Sequence, residues 1–125
     1  MMLHGLFGGN ASEFDVREVQ RELDALLVEG EQLRRGFRIV RDLFLFTDRR
    51  LILVDRQGMS GRKTEYHSIP YRSITHFSIE TAGLLDGDAE LVIYLSGALE
   101  PVRREFKRGS DILGVSRLLA QGVLR

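Results

Sequence analysis

Arg34, Arg35, Arg38 and Arg41, with Arg62 and Lys63 further along the chain, are the side chains best suited to holding an anion. A guanidinium offers a planar fork of donors that matches carboxylate or phosphate, so four within eight residues constitute a candidate anion site. The competing expectation is that they face solvent or pair with carboxylates of the same or a neighbouring subunit, since surface ion pairs are common and individually weak. Two other groupings invite chemistry. Asp86-Gly87-Asp88-Ala89-Glu90 brings carboxylates close together, but it lacks the ligand spacing of a calcium loop, and Asp-Gly is itself a turn signal. His67 and His76 could meet across adjacent strands and bind zinc, yet cysteine is absent and His4 is the only other histidine. Neither grouping is expected to hold a metal.

No Gly-x-Ser-x-Gly elbow, phosphate-binding glycine loop or His-Glu-x-x-His helix occurs, so neither a catalytic residue nor a cofactor is expected. Nucleic acid is disfavoured by a formal net charge of zero and by the lack of a basic stripe interleaved with stacking aromatics. The charge is nevertheless unevenly placed. Residues 1–31 carry seven acidic side chains against Arg17 and Arg21, which leaves the front at −5 and the remainder at +5. An acidic helix lying on a basic body of the same subunit is the plain expectation; pairing between subunits is the sharper one.

These groups must be positioned by the stretch 42–80, in which residues 42–47 and 50–55 flank the two-residue connector Asp48-Arg49. Aromatic and branched aliphatic arms of that kind predict a tight β-hairpin. Neither arm alternates with polar residues, so both faces must be covered. Residues 64–69 and, past Pro70, 74–79 do alternate, and the whole stretch reads as a four-strand antiparallel meander. Ahead of it, Ser12 is a candidate cap for an amphipathic helix over 12–29 that buries Val16, Val19, Leu23 and Leu26, and residues 31–40 predict a basic first strand. Behind it, residues 90–95 and 102–106 form a last strand pair. Ser110 is placed as the cap of a closing helix over 110–124, in which Gly114 and Gly122 each cost about 1 kcal/mol against alanine. Seven antiparallel strands ending in a helix give a mainly β domain, a bent sheet pair or partly open barrel plugged by that helix.

One domain suffices for 125 residues with 43% hydrophobic content. The start is too short and glycine-broken in its apolar run for a signal peptide or a membrane span, so residues 1–11 are expected to be a mobile arm and the location cytoplasmic.

The run Phe44-Leu45-Phe46-Thr47-Asp48-Arg49-Arg50-Leu51-Ile52-Leu53-Val54-Asp55-Arg56-Gln57-Gly58, followed by Tyr66-His67-Ser68-Ile69-Pro70-Tyr71-Arg72-Ser73-Ile74, resembles the bacterial pleckstrin-homology (PH) domains. The resemblance extends over nearly the whole chain, including Gly9-Asn10-Ala11-Ser12 and the strand start at 86–91. It implies a PH-like barrel of seven strands in two bent sheets (31–107), capped by a C-terminal helix and preceded by an additional N-terminal helix. It also implies ring-shaped homo-oligomers without enzymatic activity or an established ligand. The functional expectation is therefore a non-enzymatic interaction or scaffold module that assembles with itself, an unidentified protein partner being a further possibility. Candidate oligomer contacts are Leu3, Leu6 and Phe7 in the arm and Leu23 and Leu26 in the helix. The rival reading is a domain that docks anions or a membrane surface through Arg34, Arg35, Arg38 and Arg41.

Overall fold

The computed structural model describes residues 12–39, 42–57, 63–81, 83 and 87–124. In chain order they form β1 (Ser12–Phe14), α1 (Arg17–Leu23), β2 (Leu33–Ile39), β3 (Asp42–Thr47), β4 (Arg50–Gln57), β5 (Lys63–Pro70), a single 3-10 turn at Tyr71–Ser73, β6 (Ile74–Thr81), β7 (Ala89–Leu95), β8 (Val102–Phe106) and α2 (Ile112–Val123). Two antiparallel sheets result, one ordered β1-β2-β3-β4-β5 and the other β6-β7-β8. The described residues thus hold eight strands where seven are expected.

The central hairpin has the expected register, with Phe44 opposite Leu53 and Phe46 opposite Leu51, and both of its faces are covered. Alternation along a strand sends neighbouring side chains to opposite faces. Phe44, Phe46, Leu51 and Leu53 therefore enter a large core shared with Ile69, with Leu91, Ile93 and Phe106 of the second sheet, and with Ile112, Val115 and Leu119 of α2. Leu43, Leu45, Ile52 and Val54 enter a smaller core closed by Val19 and Leu23 of α1.

Three expectations are corrected. The meander stops at three strands, because Pro70 and the 3-10 turn redirect the chain and β6 opens the second sheet. The front helix is seven residues long rather than spanning 12–29, and Ser12 lies in β1, opposite Arg38, instead of capping it. Phe14 in that strand rests over Gly36, where an added Cβ would come within 2.7 Å of the Phe14 ring, so the register needs a glycine. The closing helix is capped by Asp111 rather than Ser110; the Asp111 Oδ1 accepts from the Gly114 amide at 3.0 Å. Its glycines are packing features more than defects. A Cβ at Gly114 would strike the capping carboxylate at 2.4 Å, and one at Gly122 would strike the Tyr71 ring at 2.6 Å.

Candidate functional site

The arginines of β2 do not converge. Arg35 and Arg38 are three residues apart on a regular stretch of strand, which places them on opposite faces. Arg35 is ion-paired with Glu13 of β1. Arg38 lies over the Phe14 ring, 4.7 Å from its centroid, with its Nη2 3.7 Å from Glu18 of α1. Arg34 occupies a β-bulge: Leu33 faces Thr47 and Arg35 faces Phe46, so Arg34 is the extra residue, and among the described residues its side chain has Gln32 Oε1 as its one hydrogen-bond partner, at 3.5 Å. Bulges bend a strand and re-aim the side chain they insert. Strand geometry thus separates Arg35 from Arg38; Arg41 and Arg62 lie outside the described residues, while Lys63 is an exposed residue at the start of β5.

The acidic front segment instead grips the basic strands beside it. Besides the Arg35 and Arg38 pairs, Glu22 accepts from the Tyr66 hydroxyl and from Arg56, and Glu31 binds Arg50. Hydrogen bonding to Glu22, aided by burial, raises the Tyr66 pKa. The Glu31 contact is the strongest of the group. Its carboxylate is buried and accepts from Arg50 Nε at 2.8 Å, Arg50 Nη2 at 2.9 Å, Thr47 Oγ1 at 2.7 Å and the Val28 amide at 3.1 Å. Burial alone would raise the Glu31 pKa, but the bonds from Arg50, Thr47 and Val28, with the Arg50 charge, outweigh it and hold the pKa at about 2. Arg50 also donates to the Leu26 carbonyl at 2.7 Å and to Ser68 Oγ at 3.0 Å. The connector from α1 to β2 is therefore clamped onto the hairpin turn. Asp48 completes the clamp by accepting from the Gln32 amide at 2.8 Å, and the Tyr71 hydroxyl donates to the Thr47 carbonyl at 2.7 Å. Sequence reading missed this network, since Glu31 and Arg50 are nineteen positions apart and only the fold joins them.

The clamp holds an apolar pair in solvent. Leu26 is 39% exposed and Val28 is 53% exposed, whereas Leu23, the other candidate contact of this helix, is 1% exposed inside the smaller core of its own chain. Leu3, Leu6 and Phe7 fall outside the described residues.

The remaining groupings are structural. His67 stands in β5 opposite Leu53, while His76 stands in β6 of the other sheet, stacked on Tyr94 at 4.2 Å, so the histidines do not meet across adjacent strands. Asp88 accepts from the Arg108 amide at 2.7 Å, and Glu90 pairs with Arg103 at 3.3 Å; Asp86 lies outside the described residues. Among the described residues no group of three or more His, Asp or Glu side chains could hold a metal, and no helix is long and apolar enough to cross a membrane.

A groove lies beside the carboxyl end of α2. One cavity of about 260 Å³ is lined by Arg34, Phe46, Thr47, Asp48, Tyr71, Leu118, Gln121 and Gly122; a second of about 390 Å³ is lined by Arg49, Arg72 and Val123 together with the same Tyr71 and Gly122. Because Gly122 has no Cβ, α2 approaches the Tyr71 ring closely along this boundary.

Comparison with known proteins agrees with this architecture. A crystal structure of a pleckstrin homology domain from Shewanella amazonensis SB2B is similar with a TM-score of 0.85 and 47% identity, each chain covered in full. A structure of a DUF1696 family protein with a pleckstrin-homology domain from Shewanella loihica PV-4 is similar with a TM-score of 0.80 and 46% identity, over 93% of this chain and 99% of that one. The Bacillus subtilis protein YjqA, described as uncharacterized, is 52% identical over 113 residues, 90% of each chain. The model of the bacterial PH domain matches residues 2–123, and the chain belongs to that family.

Proposed function

We propose that the chain is a non-enzymatic interaction module that assembles with copies of itself through head-to-tail contacts into a ring. The observation that carries this reading is the pair Leu26 and Val28, exposed on a connector that Glu31 and Arg50 hold in one place. Full burial of a Val or Leu side chain is worth roughly 1.5 to 3 kcal/mol, and these two, 39% and 53% exposed, forfeit a part of that if nothing covers them. A pinned connector loses little conformational freedom on docking, so such a patch suits an interface. Joined to a different surface of a second copy it makes a heterologous contact, which closes into a ring where the rotation allows. The charge split gives less support than the sequence alone suggests, because Glu13, Glu18, Glu22 and Glu31 are already paired within the chain. Burial of apolar surface would then supply most of the association energy, and assembly should survive moderate salt.

The test is mass by light scattering at low and moderate salt, on the parent chain and on a Leu26→Ser, Val28→Ser variant. The expected result is a parent mass several times 14.2 kDa that falls in the folded variant. A monomeric parent, or a folded variant with the parent's mass, overturns the reading.

A further inference from the structure

The groove beside the carboxyl end of α2 goes beyond self-assembly, and we propose that it is a binding site for an extended acidic peptide segment in which carboxylates alternate with apolar side chains. Three arginines line it from three different elements: Arg34 from the bulge in β2, Arg49 from the hairpin turn and Arg72 from the 3-10 turn. Among the described residues none of the three has a carboxylate within ion-pair distance, whereas Arg35, Arg38, Arg50, Arg56 and Arg103 all do. The Arg49 guanidinium rests beside Gly30. The wall also holds one carboxylate, Asp48, whose Oδ1 is already engaged by the Gln32 amide.

The form of the site selects the ligand. A compact oxyanion needs donors that converge on one point, but these cations are distributed over two adjoining cavities that share Tyr71 and Gly122. Phe46, Tyr71, Leu118 and Val123 supply apolar walls between them. Spaced carboxylates separated by apolar groups match that alternation, and guanidinium forks bind carboxylates bidentately. Two local devices build the groove: the bulge turns Arg34 out of the alternation of β2, and the missing Cβ at Gly122 sets the depth between α2 and Tyr71.

The experiment titrates the full chain into fluorescein-labelled hexapeptides in which Glu alternates with Leu or Phe, reading fluorescence anisotropy. Circular dichroism confirms that each variant is folded. Saturable binding that weakens with salt is expected, with a loss of about tenfold or more in an Arg34→Gln, Arg72→Gln variant, where a tenfold change equals about 1.4 kcal/mol. Arg103→Gln, which alters a paired arginine of β8, should bind as the parent does. The proposal is overturned if no peptide binds saturably, if peptides with Gln in place of Glu bind equally well, or if the double variant binds like the parent. It is also overturned if the peptides fail while vesicles of phosphatidylserine and phosphatidylcholine bind in an Arg34- and Arg72-dependent way, which would assign the groove to a membrane surface.

Discussion

The two faces of the β3–β4 hairpin are built differently. On one face, phenylalanines and leucines meet the second sheet and α2 in a continuous core, with Phe44 against Phe106 at 5.5 Å and Phe37 against Phe46 at 6.1 Å, both edge to face. On the other, a seven-residue helix contributes Val19 and Leu23 as its buried side chains, and attachment depends on charged groups around the margin: Glu18 to Arg38, Glu22 to Arg56 and Tyr66, Glu31 to Arg50. So short a helix cannot sustain itself in water. The larger core should therefore be insensitive to pH and salt, while the hold on α1 should respond to both. A single sheet thus carries a continuous apolar core on one side and, on the other, a short helix expected to detach first.

The largest effect expected is from Leu53→Ala, in the larger core, at roughly 2 to 5 kcal/mol by denaturant unfolding, because the cavity opens between two sheets that cannot collapse into it. A loss under about 1 kcal/mol would show that the core is looser than its burial implies.

Next comes Glu31→Gln, which leaves the Arg50 guanidinium without its counter-charge and should cost about 3 kcal/mol. The same interaction can be removed with acid. The Glu31 pKa lies at about 2 in the folded chain against 4.5 unperturbed, so its contribution is complete above pH 4.5 and disappears as the pH falls towards 2. The shift corresponds to about 3 kcal/mol, and Glu31→Gln should lose most of that part of the pH dependence. Asp42 acts in the opposite sense: burial, with the nearby Asp55, raises its pKa, so protonation favours the folded chain there. A Glu31→Gln variant whose acid unfolding profile equals the parent's would remove the clamp from the account.

The smallest effect is expected from changing Arg34, Arg35 and Arg38 together to Gln. All three are partly or largely exposed, and exposed pairs contribute about 0 to 1 kcal/mol each, so the variant should fold and assemble as the parent does. Loss of folding would mean that the front segment depends on these pairs far more than their exposure suggests.

The larger core was readable because its signals are local. Uninterrupted apolar arms around Asp48-Arg49 require cover on both faces, and helical spacing of Ile112, Val115 and Leu119 marks the closing helix. The front segment was not, for a reason of scale. Its apolar periodicity continues through Leu26 and Leu27, yet Phe14 is drawn into a strand by pairing with β2, and the chain after Leu23 is held by Arg50 rather than by helical hydrogen bonds alone. Tertiary contacts overrode propensity at both ends. The candidate site suffered likewise: spacing placed Arg34, Arg35 and Arg38 together, but strand alternation sends Arg35 and Arg38 to opposite faces and Arg34 falls in a bulge.

The most direct test of the two-sided construction is native-state hydrogen exchange in increasing urea, followed at the amides of Asp24 and Leu27, which donate to the α1 carbonyls of Gln20 and Leu23, and at the ladder amides of β7. The amides of Asp24 and Leu27 are expected to open at a lower free energy and with a shallower urea dependence than those of β7, because detaching α1 exposes only the smaller core. A single opening free energy and a single urea dependence for both sets would contradict it.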